Sequence, residues 1–146
     1  MKTAVPIKAA KNQDQLRIAA MLSAADLPTE DLGPHISFFL WEKENDLIAL
    51  GGWERYGPHG LLRSIVVQPG LQGLGMGRKW VSALLQTARE HGLEELYLLT
   101  TTAAPFFSRM GFQTTARNAV PAAIQATNEF KDICPSSAVC MKKSLV

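Results

Sequence analysis

Ile65-Val66-Val67-Gln68-Pro69-Gly70-Leu71-Gln72-Gly73-Leu74-Gly75-Met76-Gly77-Arg78-Lys79 is the stretch whose reading decides the fold. The apolar run Leu61 to Val67 reads as a strand, Gln72 to Gly77 as a glycine-rich loop, and Gly75 to His91 as a helix. Glycine lets the chain turn tightly and approach a ligand closely, and the first turn of a helix presents unpaired N–H groups at its positive end. Such a loop suits an anion of the pyrophosphate type. On its own it does not say which fold carries it, because P-loops and dinucleotide folds share the device. A P-loop carries Lys-Ser or Lys-Thr after its last glycine, whereas Gly77 is followed by Arg78-Lys79-Trp80. A dinucleotide fold places its loop in the first strand–helix unit, with an acidic residue closing a second strand about 20 residues on. Here the loop lies midway along the chain, and the next strand ends in Thr100-Thr101-Thr102.

Outward from the loop, the pattern alternates between helical and strand periods. Lys8 to Ala25 reads as a first helix with Asn12 as cap, and Thr29-Glu30-Asp31 as the start of a short second one that stops at Gly33-Pro34. Ile36 to Trp41 and Leu47 to Trp53 form a predicted hairpin through Glu44-Asn45-Asp46, and the turn Tyr56 to Gly60 leads into Leu61 to Val67. Val81, Leu84, Leu85 and Ala88 make an apolar stripe on the helix after the loop, with Gly92 as its stop. Leu96 to Thr101 follows as a buried strand, Ala103 to Met110 as a short helix, and Phe112 to Arg117 as a strand. A short helix from Pro121 to near Asn128 and a closing strand Ser137 to Lys142 complete the order. The fold class is α/β (α+β), with a mixed sheet flanked by helices.

Composition narrows the function. The 146 residues, 47% of them hydrophobic, suit one domain over residues 1–146 with one core. The net charge of +2, with basic residues scattered, gives no nucleic-acid stripe. No apolar run approaches the roughly 20 residues of a membrane span, and the N-terminus lacks a secretory core, so a cytoplasmic protein without membrane contact is expected. Cys134 and Cys140 make no disulfide framework.

The glycine loop, as Gln-x-x-Gly-x-Gly after Val67-Gln68-Pro69, resembles the coenzyme A signature of the GCN5-related N-acetyltransferase (GNAT) superfamily. Leu98-Leu99-Thr100 and Ala104-Pro105-Phe106-Phe107-Ser108-Arg109-Met110-Gly111-Phe112 look like that superfamily's fifth strand and the short helix ending in Gly-Phe. Leu62-Arg63-Ser64, the Thr-rich strand end and the tail with Cys134-Pro135-Ser136-Ser137-Ala138 are similar to a subgroup described as arsenic-resistance or amino-acid N-acetyltransferases. The resemblance implies a mostly antiparallel, twisted sheet of about seven strands, splayed between the fourth (Leu61–Val67) and the fifth (Leu96–Thr101). It also implies acetyl-CoA as acetyl donor. The pyrophosphate would meet Gln72, Gly73, Leu74, Gly75, Met76 and Gly77, with Arg78 nearby. The pantetheine arm would lie along Ile65, Val66 and Val67, beside Phe106 and Phe107.

The acceptor implied is a primary amine on a small amino-acid-like compound, with an amino acid bearing arsenic or phosphorus, in a resistance role, as its finer form. A non-catalytic acyl-CoA-binding sensor or partner module is the alternative, because the superfamily commonly carries a Tyr where this chain has Phe107, and a phenyl ring has no proton for a leaving thiolate. Ser108 is the candidate replacement acid. Glu54, at the end of the third strand, is the candidate base acting through water, with Glu42 behind it. Arg63 is charged within an apolar strand, a costly placement unless it is paired or meets a ligand. It is a candidate for the acceptor's carboxylate together with Arg117, the alternatives being a solvent face or an internal ion pair with Glu54. No metal site is expected; Cys134 and Cys140 read first as structural cysteines, and Cys140 is a remote candidate acyl carrier. A homodimer is compatible with an exposed strand around Ser137 to Lys142.

Overall fold

A computed structural model describes residues 5–71, 75–133 and 137–146. Its strands are β1 (Ile7–Ala9), β2 (Ile36–Lys43), β3 (Asp46–Tyr56), β4 (His59–Val67), β5 (Glu95–Thr100), β6 (Gln113–Thr114) and β7 (Val139–Ser144). Its α-helices are α1 (Gln15–Ala24), α2 (Met76–Glu90), α3 (Ala104–Arg109) and α4 (Ala122–Gln125). The strands form one sheet in the order β1-β2-β3-β4-β5-β7-β6, antiparallel throughout except for the parallel pair β4 and β5. Among the described residues, no helix is long and apolar enough to cross a membrane.

Alternation along the strands assigns the two faces. Trp53, Leu62, Val67, Leu96 and Leu98 pack beneath α2, whose Trp80, Val81, Ala83, Leu84 and Ala88 are wholly buried, and α3 adds Phe107 on the same side. The opposite face holds Leu40, Leu50 and Val66 under Ile18 and Leu22 of α1. It also holds Leu61, Tyr97 and Cys140 under Val120 and Ile124 of the α4 region.

Two features shape the centre of the sheet. β3 carries Gly51-Gly52 because neighbours leave no room for a side chain. A Cβ on Gly51 would lie 2.9 Å from Leu84 Cδ1, and one on Gly52 only 2.3 Å from the Ser37 carbonyl oxygen of β2. Opposite them β4 bulges: Leu50 pairs with Val66 and Gly52 with Arg63, so Ser64 and Ile65 face Gly51 alone. Ser64 takes a left-handed conformation, φ 60°, and the Leu50 carbonyl accepts the buried Trp80 indole N–H at 2.9 Å.

Several elements differ from the sequence reading. The predicted first helix shortens, because Ile7–Ala9 adds to β2 as an edge strand and the Asp14 carboxylate takes the Lys11 backbone N–H at 2.8 Å, starting the helical turns later. Thr29-Glu30-Asp31 runs into a turn and starts no helix. Phe112 to Arg117 keeps only Gln113–Thr114 as strand, and Arg117 opens a 3-10 turn (Arg117–Ala119).

Candidate active site

β4 and β5 pair only over His59–Leu61 and Glu95–Tyr97. Beyond these residues they part, and the sheet is splayed there, as expected. Each strand keeps its other neighbour, β4 against β3 and β5 against β7, so the gap is held open from both sides. It forms a cavity of about 440 Å³. Leu62 to Ile65, Arg63 included, line one strand wall and Leu98 to Thr100 the other, with Phe107 on the α2 side and Asp26, Leu27, Pro28 and Glu129 on the α1 and α4 side. The cavity therefore joins the two faces of the sheet.

On the α2 side the structure brings together several residues expected to hold the donor. Gly75, at φ 74°, caps the N-terminus of α2, a conformation that favours glycine. Gly77 lies against the Phe106 ring, which meets Phe107 edge-on with centroids 5.1 Å apart. Met76 is half-buried and Arg78 exposed beside it. Gln72, Gly73 and Leu74 lie outside the described residues. Of the β4 residues, Ile65 lines the cavity, whereas Val66 and Val67 pack into the core on opposite faces. This set fits the expected group: open strand backbone, an apolar wall and a glycine-bearing helix N-terminus lie in series.

On the other face a buried ionic cluster replaces the expected substrate arginine. The Arg63 side chain is 0% exposed. Its Nη1 donates to Asp31 Oδ2 at 2.5 Å and Glu54 Oε2 at 2.7 Å, Nη2 donates to Asp31 Oδ1 at 2.7 Å, and Nε donates to Ser64 Oγ at 3.2 Å. Glu129 Oε2 stands 3.9 Å from Nη2. The Glu54 carboxylate is closed in from its other side, since the Tyr56 hydroxyl donates to Oε1 at 2.5 Å. Burial and then this bond to Glu54 raise the Tyr56 pKa, so the phenol is a fixed donor. Arg63 thus takes up the internal ion pair with Glu54 and adds Asp31 to it. Arg63 also lines the cavity, and its described hydrogen bonds go to Asp31, Glu54 and Ser64. Glu54 is buried, bonded to Arg63 and Tyr56, and is not among the residues that line the cavity.

Other candidates fall elsewhere. Ser108 is exposed and is not among the residues that line the cavity. Glu42 pairs with Lys8 at 2.6 Å and with Arg17 at the β1 edge, far along the sheet from the gap. Arg117 Nη2 donates to the Ala138 carbonyl at 3.0 Å, and Ala138 lines the cavity. Cys140 is buried in β7 opposite Leu99, and burial pushes its thiol pKa up, the wrong direction for an acyl-carrying nucleophile. Cys134 lies outside the described residues. Asp31, His35 and Glu54 bring ligand-type atoms within 4.8 Å of one another, but both carboxylates are bonded to Arg63. Asp31, Ser64 and Glu129 are site residues that sequence reasoning missed; only the bulge-prone Gly51-Gly52 opposite Arg63-Ser64 carried a signal for one of them.

These carboxylates set an acid limit on stability. Burial acts to raise the Asp31 pKa, and the Arg63 hydrogen bonds overcome it, holding the group below its ordinary value. Asp14 is lowered by the Lys11 backbone N–H and Arg17, and Glu42 by Lys8 and Arg17. A carboxylate depressed in the folded state contributes stability above its unfolded pKa and loses it as pH falls through the folded one. The melting temperature is expected to stay level from about pH 7 to 5 and to drop steadily below about pH 4. Circular dichroism melts from pH 7 to 3 check this; a level melting temperature throughout would contradict the pairing.

Comparison with known proteins agrees with this geometry. Residues 10–112 match the acetyltransferase (GNAT) family. The fold superposes on N-acetylglutamate synthase from Neisseria gonorrhoeae, solved with coenzyme A and N-acetyl-glutamate, with TM-score 0.83 and 21% identity, over 100% of this chain and 36% of that one. The chain therefore spans about a third of the synthase's length. Rv2747 from Mycobacterium tuberculosis, solved with CoA and NLQ, gives TM-score 0.73 and 20% identity over 96% of this chain and 99% of that one. The ribosomal-protein-S18-alanine N-acetyltransferase from Escherichia coli gives 0.71 and 17% over 95% and 92%. The splayed seven-stranded sheet and the match over residues 10–112 converge: the chain belongs to the acetyltransferase (GNAT) family.

Proposed function

We propose that residues 1–146 act as one acetyltransferase domain that moves an acetyl group to the primary amine of a small amino-acid-like compound. One observation carries the reading: the cavity between β4 and β5 opens to both faces of the sheet, with an apolar wall at one end and carboxylates at the other. Acetyl-CoA supplies the activated acetyl group as a thioester. On the α2 side, Ile65 and Phe107 exclude water, and the N-terminus of α2 beyond Gly75 presents N–H groups to phosphate. The acceptor enters from the face of α1 and α4. There Arg117, tethered to Ala138 at the cavity wall, is assigned to its carboxylate in place of Arg63.

Phe107 gives the leaving sulfur no proton, and a thiol with a pKa near 8.5 leaves tolerably without one near neutral pH. A slow enzyme follows from this, since a general acid is typically worth about 10²–10⁴-fold. An amino acid bearing arsenic or phosphorus is the finer reading of the acceptor, in a resistance role. It is supported by the likeness of Leu62-Arg63-Ser64 and the tail to that subgroup.

Thiol release from acetyl-CoA tests both levels, with glutamate, glutamine, a phosphinic glutamate analogue and an arsenic-bearing amino acid as acceptors. Turnover at least tenfold above buffer on one of the four is expected. Turnover on glutamate alone would remove the resistance reading, and binding of acetyl-CoA without turnover on any would remove the amino-acid acceptor.

A further inference from the structure

The outer face of α1 carries no charge. Its exposed residues are Gln15, Leu16, Ala20, Ser23 and Ala24, whereas those of α2 are Arg78, Lys79, Ser82, Arg89 and Glu90. A surface helix ordinarily turns charged residues to water, as α2 does. Arg17 of α1 is half-buried and held by Asp14 and Glu42. Leu16 is 87% exposed, and among the described large apolar side chains only Val146 is as open.

Beside Leu16 lies a groove of about 370 Å³ that shares no lining residue with the cavity between β4 and β5. Ile18, Leu32, Ile36 and Phe38 form its apolar floor, and the exposed Leu16 and Pro34 stand on its rim. A knob and a hole thus sit side by side on one face. A two-fold axis applies such a patch to itself, so a second copy of this chain is the partner that brings both a hole for Leu16 and a knob for the groove.

Charge at the two ends of the face agrees with that partner. Lys11 precedes α1, and Asp26 and Glu30 follow it; all three are exposed, and the described ion pairs use none of them. Where two α1 helices cross antiparallel, the start of each meets the end of the other. A register that sets Leu16 against Ala20 of the partner subunit brings Lys11 within one position of Asp26 of the partner subunit. A parallel pairing would set Lys11 against Lys11 and Asp26 against Asp26. The small Ala20, Ser23 and Ala24 let the two backbones approach closely. We infer that this chain associates with a second copy through α1, antiparallel about a two-fold axis, with each Leu16 seated in the other copy's groove. This surface differs from the strand edge around Ser137 to Lys142, where β7 is paired by β5 and, at Met141 and Lys142, by β6.

The face is one short helix with its flanks, so the association is weak, with an expected Kd on the order of 10–100 µM. Sedimentation equilibrium of the full chain, from about tenfold below to about tenfold above that range, reads it out. Wild type is expected to pass from monomer to dimer. Leu16→Glu changes a side chain that is open to water in the single chain, and is expected to stay monomeric with its melting temperature unchanged. Lys11→Glu and Asp26→Lys are each expected to weaken the dimer about tenfold, since like charges then meet at two symmetric places. The double variant is expected to return to within about threefold of wild type, a recovery that excludes loss of fold as the cause of the single losses. A monomer throughout would overturn the inference and leave the face to a different protein. A dimer that survives Leu16→Glu would overturn it by placing the contact elsewhere, and a double variant no better than its singles would overturn the antiparallel arrangement on which it rests.

Discussion

Arg63→Leu is expected to lower the melting temperature by about 10 °C or more and to leave little folded protein at 37 °C. The guanidinium is wholly enclosed and carries bonds to Asp31 and Glu54, with Glu129 beside it. Removing it leaves three carboxylates without their shared cation. Breaking a buried pair from one side typically costs about 3–5 kcal/mol, against a total stability of about 5–15 kcal/mol. Arg63→Lys is expected to fall between, because an ammonium keeps the charge but cannot make the paired bonds that Nη1 and Nη2 make to Asp31. Combining Arg63→Leu with Asp31→Asn and Glu54→Gln should recover part of the loss, since fewer unpaired charges remain buried. Thermal melts of the set read this out. A single variant that melts like wild type would mean that the cluster is solvated.

Gly52→Ala is expected to be the most damaging one-carbon change in the sheet, with the protein unfolded or insoluble. An added methyl would lie 2.3 Å from the Ser37 carbonyl oxygen and 3.2 Å from the Phe38 Cα, and both are backbone atoms of β2. β2 has no rotamer to change, so the ladder between β2 and β3 must part. The neighbouring Gly51→Ala is the control. Its methyl would meet the end of the Leu84 side chain at 2.9 Å, and a leucine methyl can swing aside, so a cost of about 1–3 kcal/mol is expected. Denaturant unfolding of the pair separates the two cases; equal stability in both would remove the close approach of β2 to β3.

Much of the fold was legible because its signals are local. The apolar stripe Val81, Leu84, Leu85, Ala88 marks α2 without help from the rest of the chain, and the hairpin turn Glu44-Asn45-Asp46 lies where residues 44 and 45 take positive φ. What was missed depends on distant partners. Three residues, Ile7–Ala9, make a strand only because β2 offers them an edge, and Gln113–Thr114 only because β7 does. In the site, the pairing of Arg63 with Glu54 was within reach, since two strands joined by a tight turn set their register. Asp31 was not, because its bond to Arg63 spans 32 positions and nothing in a turn that resembles a helix start announces it. Glu129 was hidden for the same reason: it follows a short helix whose placement on the sheet depends on Ile124 meeting Leu61, Tyr97 and Cys140.

The short contact between β4 and β5 also bears on how the protein behaves in a crowded solution. Past Leu61 and Tyr97 each of these strands presents an open edge, yet the edge lies inside the sheet, enclosed by Phe107 on one face and by Leu27, Pro28 and Glu129 on the other. The outer rims are β1 with three residues and β6 with two, too short to template much pairing. Unpaired strand backbone is the feature that lets one chain recruit another into aggregates. Here the stretch of β4 past Leu61 is kept where another protein's strand cannot reach it and a thin, flexible ligand can.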